Sequence, residues 1–222
     1  MSFERPIEEI IAAACYHKDS NSEFIKEMYK IATTNPHEIT TKSTDFGVLV
    51  NSRASAVIRE VYKVSGFIRL MPYPEMLLVG HCQLEHNSGS LIAQWLASRY
   101  EKFIILIIAD EKVFLQSKRM DIKEFNNNQY DKTEKIIEEI RKVLAPLVAD
   151  TLPFEYTSLD FDAMWEEYYH TQFLEHRLNL KQFHSFLPKY FFKKAFMKTE
   201  KDFYEKIMEK KKKTKTLDYF LN

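Results

Sequence analysis

The sequence predicts an α+β fold: a helical N-terminal segment, a central, mostly antiparallel sheet with helices packed on it, and a helical C-terminal region that runs into a flexible tail. Three observations predict this. Apolar residues recur at helical spacing from Pro6 to about Lys63. From Gly66 to Gln116, short β-branched or continuously apolar runs alternate with turn residues and one helical stretch. Beyond Met120 the helical period returns, ending in a lysine-rich segment.

The elements follow in chain order. Ile7, Ile10, Ile11 and Ala14 lie on one helical face. Asn21 and Ser22 offer N-caps for a helix carrying Phe24, Ile25, Met28 and Ile31, which Asn35-Pro36 ends. Ala54 to Val64 forms the next helix, with Val57, Val61 and Val64 inward and Gly66 as a left-handed C-cap. Gly66 to Tyr73 and Glu75 to Cys82 pair as strands across Pro74. Asn87 to Tyr100 is a helix with Leu91, Ile92, Trp95 and Leu96 facing inward, and Asn87 is its natural N-cap. Phe103 to Ala109 reads as a buried strand, and Asp110-Glu111 turns it into a partner over Lys112 to Gln116. Lys132 to Val148 is amphipathic through Ile136, Ile137, Ile140, Val143 and Leu144. A further helix surrounds Met164 to Gln172, and Thr199 to Lys213 is a charged one. One domain is expected over 1–200 (helical 1–64, sheet-containing 65–118, helical 130–200), followed by a charged helix and tail over 201–222.

Composition narrows the function classes. Apolar residues make up 45% of 222, enough for a real core, and only 4 glycines argue against a nucleotide fold built on glycine-rich loops. Net charge is zero, but the eleven lysines between Lys189 and Lys215 face only four acids, a local +7, which leaves −7 on the rest. Such a basic arm on an acidic body suggests an interaction tail, or a solvated helix face. Cys15 and Cys82 make no C-x-x-C pair, so no zinc or redox motif and no cofactor is expected. The longest apolar run, Phe103 to Ala109, is too short to span a bilayer, and the N-terminus carries no secretory pattern. A cytoplasmic protein without membrane contact is expected.

Three constellations hold the candidate site residues. The first is Arg59-Glu60 followed by Gly66-Phe67 and Arg69, where Arg69 on a strand would share Phe67's face and reach a phosphate or pair with a carboxylate. The second is His86-Asn87, at the start of the helix ending in Arg99-Tyr100, with Asp110 after the following strand. His86 could act as an acid–base group, a metal ligand or a structural imidazole. The third is Trp165 with Tyr168, then Arg177, Asn179 and Pro188, an aromatic and basic set that could stack on bases or form a packed core.

In order and spacing these sets resemble the "probable DNA-metabolism protein" family. Its domain occurs beside radical SAM proteins assigned to DNA repair and fused to uracil-DNA glycosylase-like domains. Arg59-Glu60 through Gly66-Phe67-Ile68-Arg69-Leu70, His86-Asn87 with Arg99-Tyr100, Asp110, and Trp165, Tyr168, Arg177, Asn179, Leu187-Pro188 match its pattern over roughly Arg59 to Tyr190. Tyr62-Lys63 replaces the family's usual His-Arg. The resemblance implies a DNA-repair or DNA-modification setting, and no particular reaction.

The last segment carries Thr214, Leu217, Phe220 and Leu221 behind a run of lysines. One 3₁₀ turn would gather Leu217, Phe220 and Leu221 into a plug. This looks like the sliding-clamp-interacting peptide of archaeal and eukaryotic replication and repair proteins, with Thr214 where glutamine is usual. The expected function is therefore a DNA-repair accessory tethered to a DNA sliding clamp, in contact with DNA or with a radical SAM or uracil-DNA glycosylase-like protein. The alternative is an enzyme on DNA or nucleotides, with Arg69, His86, Arg99 and Asp110 in one cleft.

Overall fold

The computed structural model describes residues 5–109, 112–119 and 133–157, with 159, 160, 163, 164, 167 and 209 singly. The chain divides into two units, Met1–Thr157 and Ser158–Asn222. The first is α+β, with four strands and seven helices among the described residues.

Four helices open the unit. Helix α1 (Ile7–Cys15) buries Ile10, Ile11, Ala13 and Ala14. Helix α2 (Ser22–Thr34) is capped by Asn21, whose side chain accepts from the Phe24 amide at 2.9 Å, and it buries Phe24 and Met28. Asn35 ends it, and Pro36 starts a short α3 (Pro36–Thr41) at the position where its missing N–H costs nothing. Helix α4 runs over Asp45–Phe67, with Thr44 accepting from the Gly47 amide at 3.1 Å. It begins nine residues before the expected Ala54. Gly47 is the reason it can: a side chain there would strike the Glu38 carbonyl, so glycine lets α3 and α4 touch backbone to backbone. Asn51 seals the contact by donating to the Ile39 carbonyl at 2.6 Å.

The exit of α4 differs from the sequence expectation. Gly66 is helical and no glycine has positive φ. The helix passes straight into extended chain at Ile68 (φ −65, ψ 132), whose amide still bonds Val64 O at 2.8 Å. Phe67 therefore belongs to the helix, and Arg69 precedes the strand rather than sharing a pleat face with Phe67.

The sheet order is β1-β2-β3-β4 (Leu70–Tyr73, Leu77–Cys82, Ile104–Ala109, Lys112–Ser117). Both outer pairings are antiparallel, and the central β2–β3 pair is parallel. The crossover is helix α5 (Gly89–Arg99), as a parallel pair requires. Strand β3 is buried at every position because both sheet faces are covered. On one face Leu77, Val79, Ile104, Leu106, Ile108 and Val113 pack against Ile136, Ile137, Ile140 and Leu144 of helix α6 (Thr133–Leu144). The other face meets α5, where Gly89 lies flat on the Phe114 ring.

The β1–β2 turn is unusual. Glu75 and Met76 both hold positive φ (59° and 54°) without glycine. Two such residues cost on the order of 1–3 kcal/mol each. Arg141 of α6 offsets this by gripping the buried Glu75 carboxylate through Nε at 2.9 Å and Nη2 at 3.4 Å. The short helix α7 (Phe154–Thr157) packs against β1. Both cysteines are free. No helix of the described residues is long and apolar enough to cross a membrane.

Gly89→Ala should destabilise the protein by about 1–3 kcal/mol in urea unfolding, because its methyl overpacks against Phe114. Phe114→Leu in that background should recover part of the loss, whereas Gly66→Ala, which meets nothing within 4 Å, should be neutral or stabilising.

Candidate functional site

Arg59 and Glu60 adjoin in sequence but part in space. Arg59 is exposed on α4, while Glu60 is buried. The Glu60 carboxylate accepts from the Glu85 amide at 2.5 Å, the His86 amide at 3.2 Å and Ser88 Oγ at 2.6 Å. It is thus the anchor of the loop leading from β2 into α5. Asn87 does not cap that helix. Its amide donates to Tyr16 O at 2.9 Å, and its side chain accepts from Lys112 Nζ at 3.1 Å. Ser88 occupies the N-cap, with its hydroxyl given to Glu60 rather than to the helix amides.

The same loop presents His86 to His17, which follows α1. Their rings lie 4.4 Å apart at 31°. His17 Nδ1 accepts from the Asp19 amide at 3.2 Å. His86 Nδ1 is buried and has no hydrogen-bond partner among the described residues. Burial first, then the His86 charge, hold the His17 imidazole below its ordinary value of 6.5. Around them lie the Lys18–Glu85 pair at 2.8 Å and Arg53, which donates to Ser20 Oγ at 3.2 Å and stacks on Phe24 at 4.0 Å. His17 escaped the sequence reading. The Tyr16-His17 pair directly follows α1, and nothing local links His17 to a residue 69 positions on. No group of three His, Cys, Asp or Glu among the described residues could hold a metal.

Arg69 and Arg99 are placed elsewhere. Arg69 is half-buried and engaged. Arg99 ends α5, about 15 Å from the His86 end at 1.5 Å rise per residue. Its guanidinium lies 5.7 Å over the Trp95 ring and 5.8 Å over Tyr100. Asp110, Trp165, Arg177, Asn179, Thr214, Leu217, Phe220 and Leu221 lie outside the described residues.

A second feature runs along α4. This helix packs on both α1 and α5, and the three enclose a groove of about 320 Å³. Each helix contributes one face at i, i+3, i+4 spacing. Ala12 and Ala13 come from α1, Ile58, Val61 and Tyr62 from α4, and Leu91, Gln94 and Trp95 from α5. Leu91 and Trp95, expected to face the core, are only half-buried for this reason, whereas Ile92 and Leu96 are fully inside.

Glu60→Gln should lower stability by about 3 kcal/mol, since an amide supplies one acceptor to three donors and opposes its own N–H groups to them. Stability should also fall as pH drops below 6.5. Burial keeps His17 and His81 depressed in the fold, so the unfolded chain binds protons that the folded chain refuses. Urea midpoints at pH 7.5 and 5.5 measure this, and His81→Asn should flatten the difference.

No curated protein matches the chain, and no solved structure does. The model of one family matches residues 19–197 and is described as a domain of unknown function, DUF4130. The match takes in every described element from α2 to α7, together with His86, Arg59 and Arg99. With most of its length matched, the protein belongs to the DUF4130 family.

Proposed function

We propose that the protein is an accessory factor of DNA metabolism, tethered to a DNA sliding clamp through Thr214, Leu217, Phe220 and Leu221. The observation that carries this reading is the Thr-x-x-Leu-x-x-Phe-Leu spacing behind Lys210 to Lys213. One 3₁₀ turn would align the three apolar side chains for a single pocket. The lysines add attraction to phosphate or to an acidic clamp rim, which salt weakens. Tethering raises the local concentration of the body at DNA without new contacts. A repair enzyme of the radical SAM or uracil-DNA glycosylase-like kind would be the natural working partner.

A second reading, an enzyme acting on DNA or nucleotides, draws on the buried His86 Nδ1 beside His17, without a partner among the described residues. Against it stands the use of Glu60 as a loop anchor and the distance between His86 and Arg99. If that reading is right, His86→Gln abolishes product formation from labelled oligonucleotides while leaving clamp capture intact.

The tether is tested by titrating a peptide spanning Lys211 to Asn222 against the cognate clamp. Binding at about micromolar affinity is expected, with a loss of at least about tenfold after Leu217→Ala plus Phe220→Ala. Threonine supplies a shorter polar anchor than glutamine, so Thr214→Gln should tighten it. Absence of binding at a hundredfold higher concentration sinks the proposal.

A further inference from the structure

The groove along α4 has a composition that apolar packing alone does not explain. Its floor is aliphatic, with Ile58 and Val61 buried, but one bank raises Tyr62, 59% exposed, and the other raises the half-buried Trp95. Each aromatic has an arginine one helical turn away: Arg59 three residues before Tyr62, and Arg99 four residues after Trp95. Arg59 is exposed, and among the described residues no carboxylate pairs with it. Arg99 is exposed too, its guanidinium held over the Trp95 ring. The rim supplies Gln94, which can both donate and accept, and Glu9, which accepts and is partly neutralised by Arg5 at 3.8 Å.

We infer that this groove binds an unstacked base of single-stranded DNA, with Tyr62 and Trp95 as stacking surfaces and Arg59 and Arg99 on the flanking phosphates. The inference deepens the DNA-metabolism reading and rests on it. Charge complementarity selects the occupant. A purely apolar peptide helix would fill the floor but make no use of the arginines one helical turn from Tyr62 and Trp95, whereas a nucleotide strand presents a flat apolar face followed by an anion. A paired base offers no free face to Tyr62, so duplex DNA is the poorer ligand. Gln94 and Glu9 would meet the hydrogen-bonding edge of the base, which pairing otherwise occupies.

The test uses the full chain and a labelled single strand, read by fluorescence anisotropy, beside the same strand annealed to its complement and an RNA of the same sequence. The protein has two tryptophans, so Trp165→Phe leaves Trp95 as the reporter. Single-stranded DNA should bind best and quench Trp95. Tyr62→Ala should weaken binding about tenfold, while Tyr62→Phe keeps the stacking face and stays close to the parent. Arg59→Ala should reduce the slope of log affinity against log salt by about 0.7, the value for one lost single-strand phosphate contact. Tyr62 and Arg59 are exposed, so both variants should fold, as circular dichroism will verify. Unchanged affinity in Tyr62→Ala, a silent Trp95, or equal or tighter binding of duplex or RNA overturns the inference. Failure of the groove and failure of the tether separate cleanly. Tyr62→Ala should still be captured by the clamp, and Leu217→Ala plus Phe220→Ala should still show the Tyr62 effect on free DNA.

Discussion

A carboxylate buried in the first unit holds its parts in register. Glu60 projects from the C-terminal half of α4 into the loop after β2, where two amides and a hydroxyl converge on it. Those donors would otherwise be desolvated without acceptors, at about 1–3 kcal/mol each. One charged group therefore decides where the loop stops and α5 begins. Once α5 begins at Gly89 it must lie on Phe114, and its opposite side must lie along α4. The position of the groove, of Trp95 and of Arg99 follows from that single attachment. The same loop carries His86 to His17, so the histidine stack before α5 and the groove along the side of α5 share one anchor.

The structure also distributes charge by burial rather than by sequence neighbourhood. Arg59 and Glu60 look like a pair in the chain, yet a helix turns adjacent residues by about 100°, sending one to solvent and the other inward. Arg141 and Glu75 show the opposite case. They are 66 residues apart and form a bidentate contact that steadies two left-handed residues in the β1–β2 turn. That clamp ties α6 to the sheet edge beyond what its isoleucine face provides. In the proposed division of labour, this rigid body presents aromatics and arginines from fixed helices, while a separate peptide motif supplies the tether.

Much of the fold was legible because its signals are local. The Asn21 cap, the isoleucine face of α6, the all-apolar β3 and the hairpin break at Pro74 each depend on residues a few positions apart. Two of the misreadings involve a distant partner. Gly47 as a contact point needs Glu38 folded back on it, and Asn87 lost its capping role to Tyr16 and Lys112. Gly66 looked like a helix stop, but Ile68 could leave the helix in extended geometry with its amide satisfied by Val64, so no left-handed residue was needed. Of the candidate site, the sequence marked Arg59, Glu60, His86 and Arg99. It missed His17, Tyr62 and Trp95 as surfaces, because an aromatic at helical spacing reads as core.

By itself the sequence determined the class of the fold, the order of the four strands and of the helices α1, α2, α4, α5 and α6, the charge imbalance between body and lysine arm, and the spacing of the clamp-like motif. These are properties of short segments, set by period, caps and composition. Only the tertiary structure decided that Glu60 is a loop anchor, that His17 meets His86, and that Tyr62 and Trp95 line one groove. Each of those facts depends on three helices from separate stretches of chain packing together, and packing is a property of their joint burial.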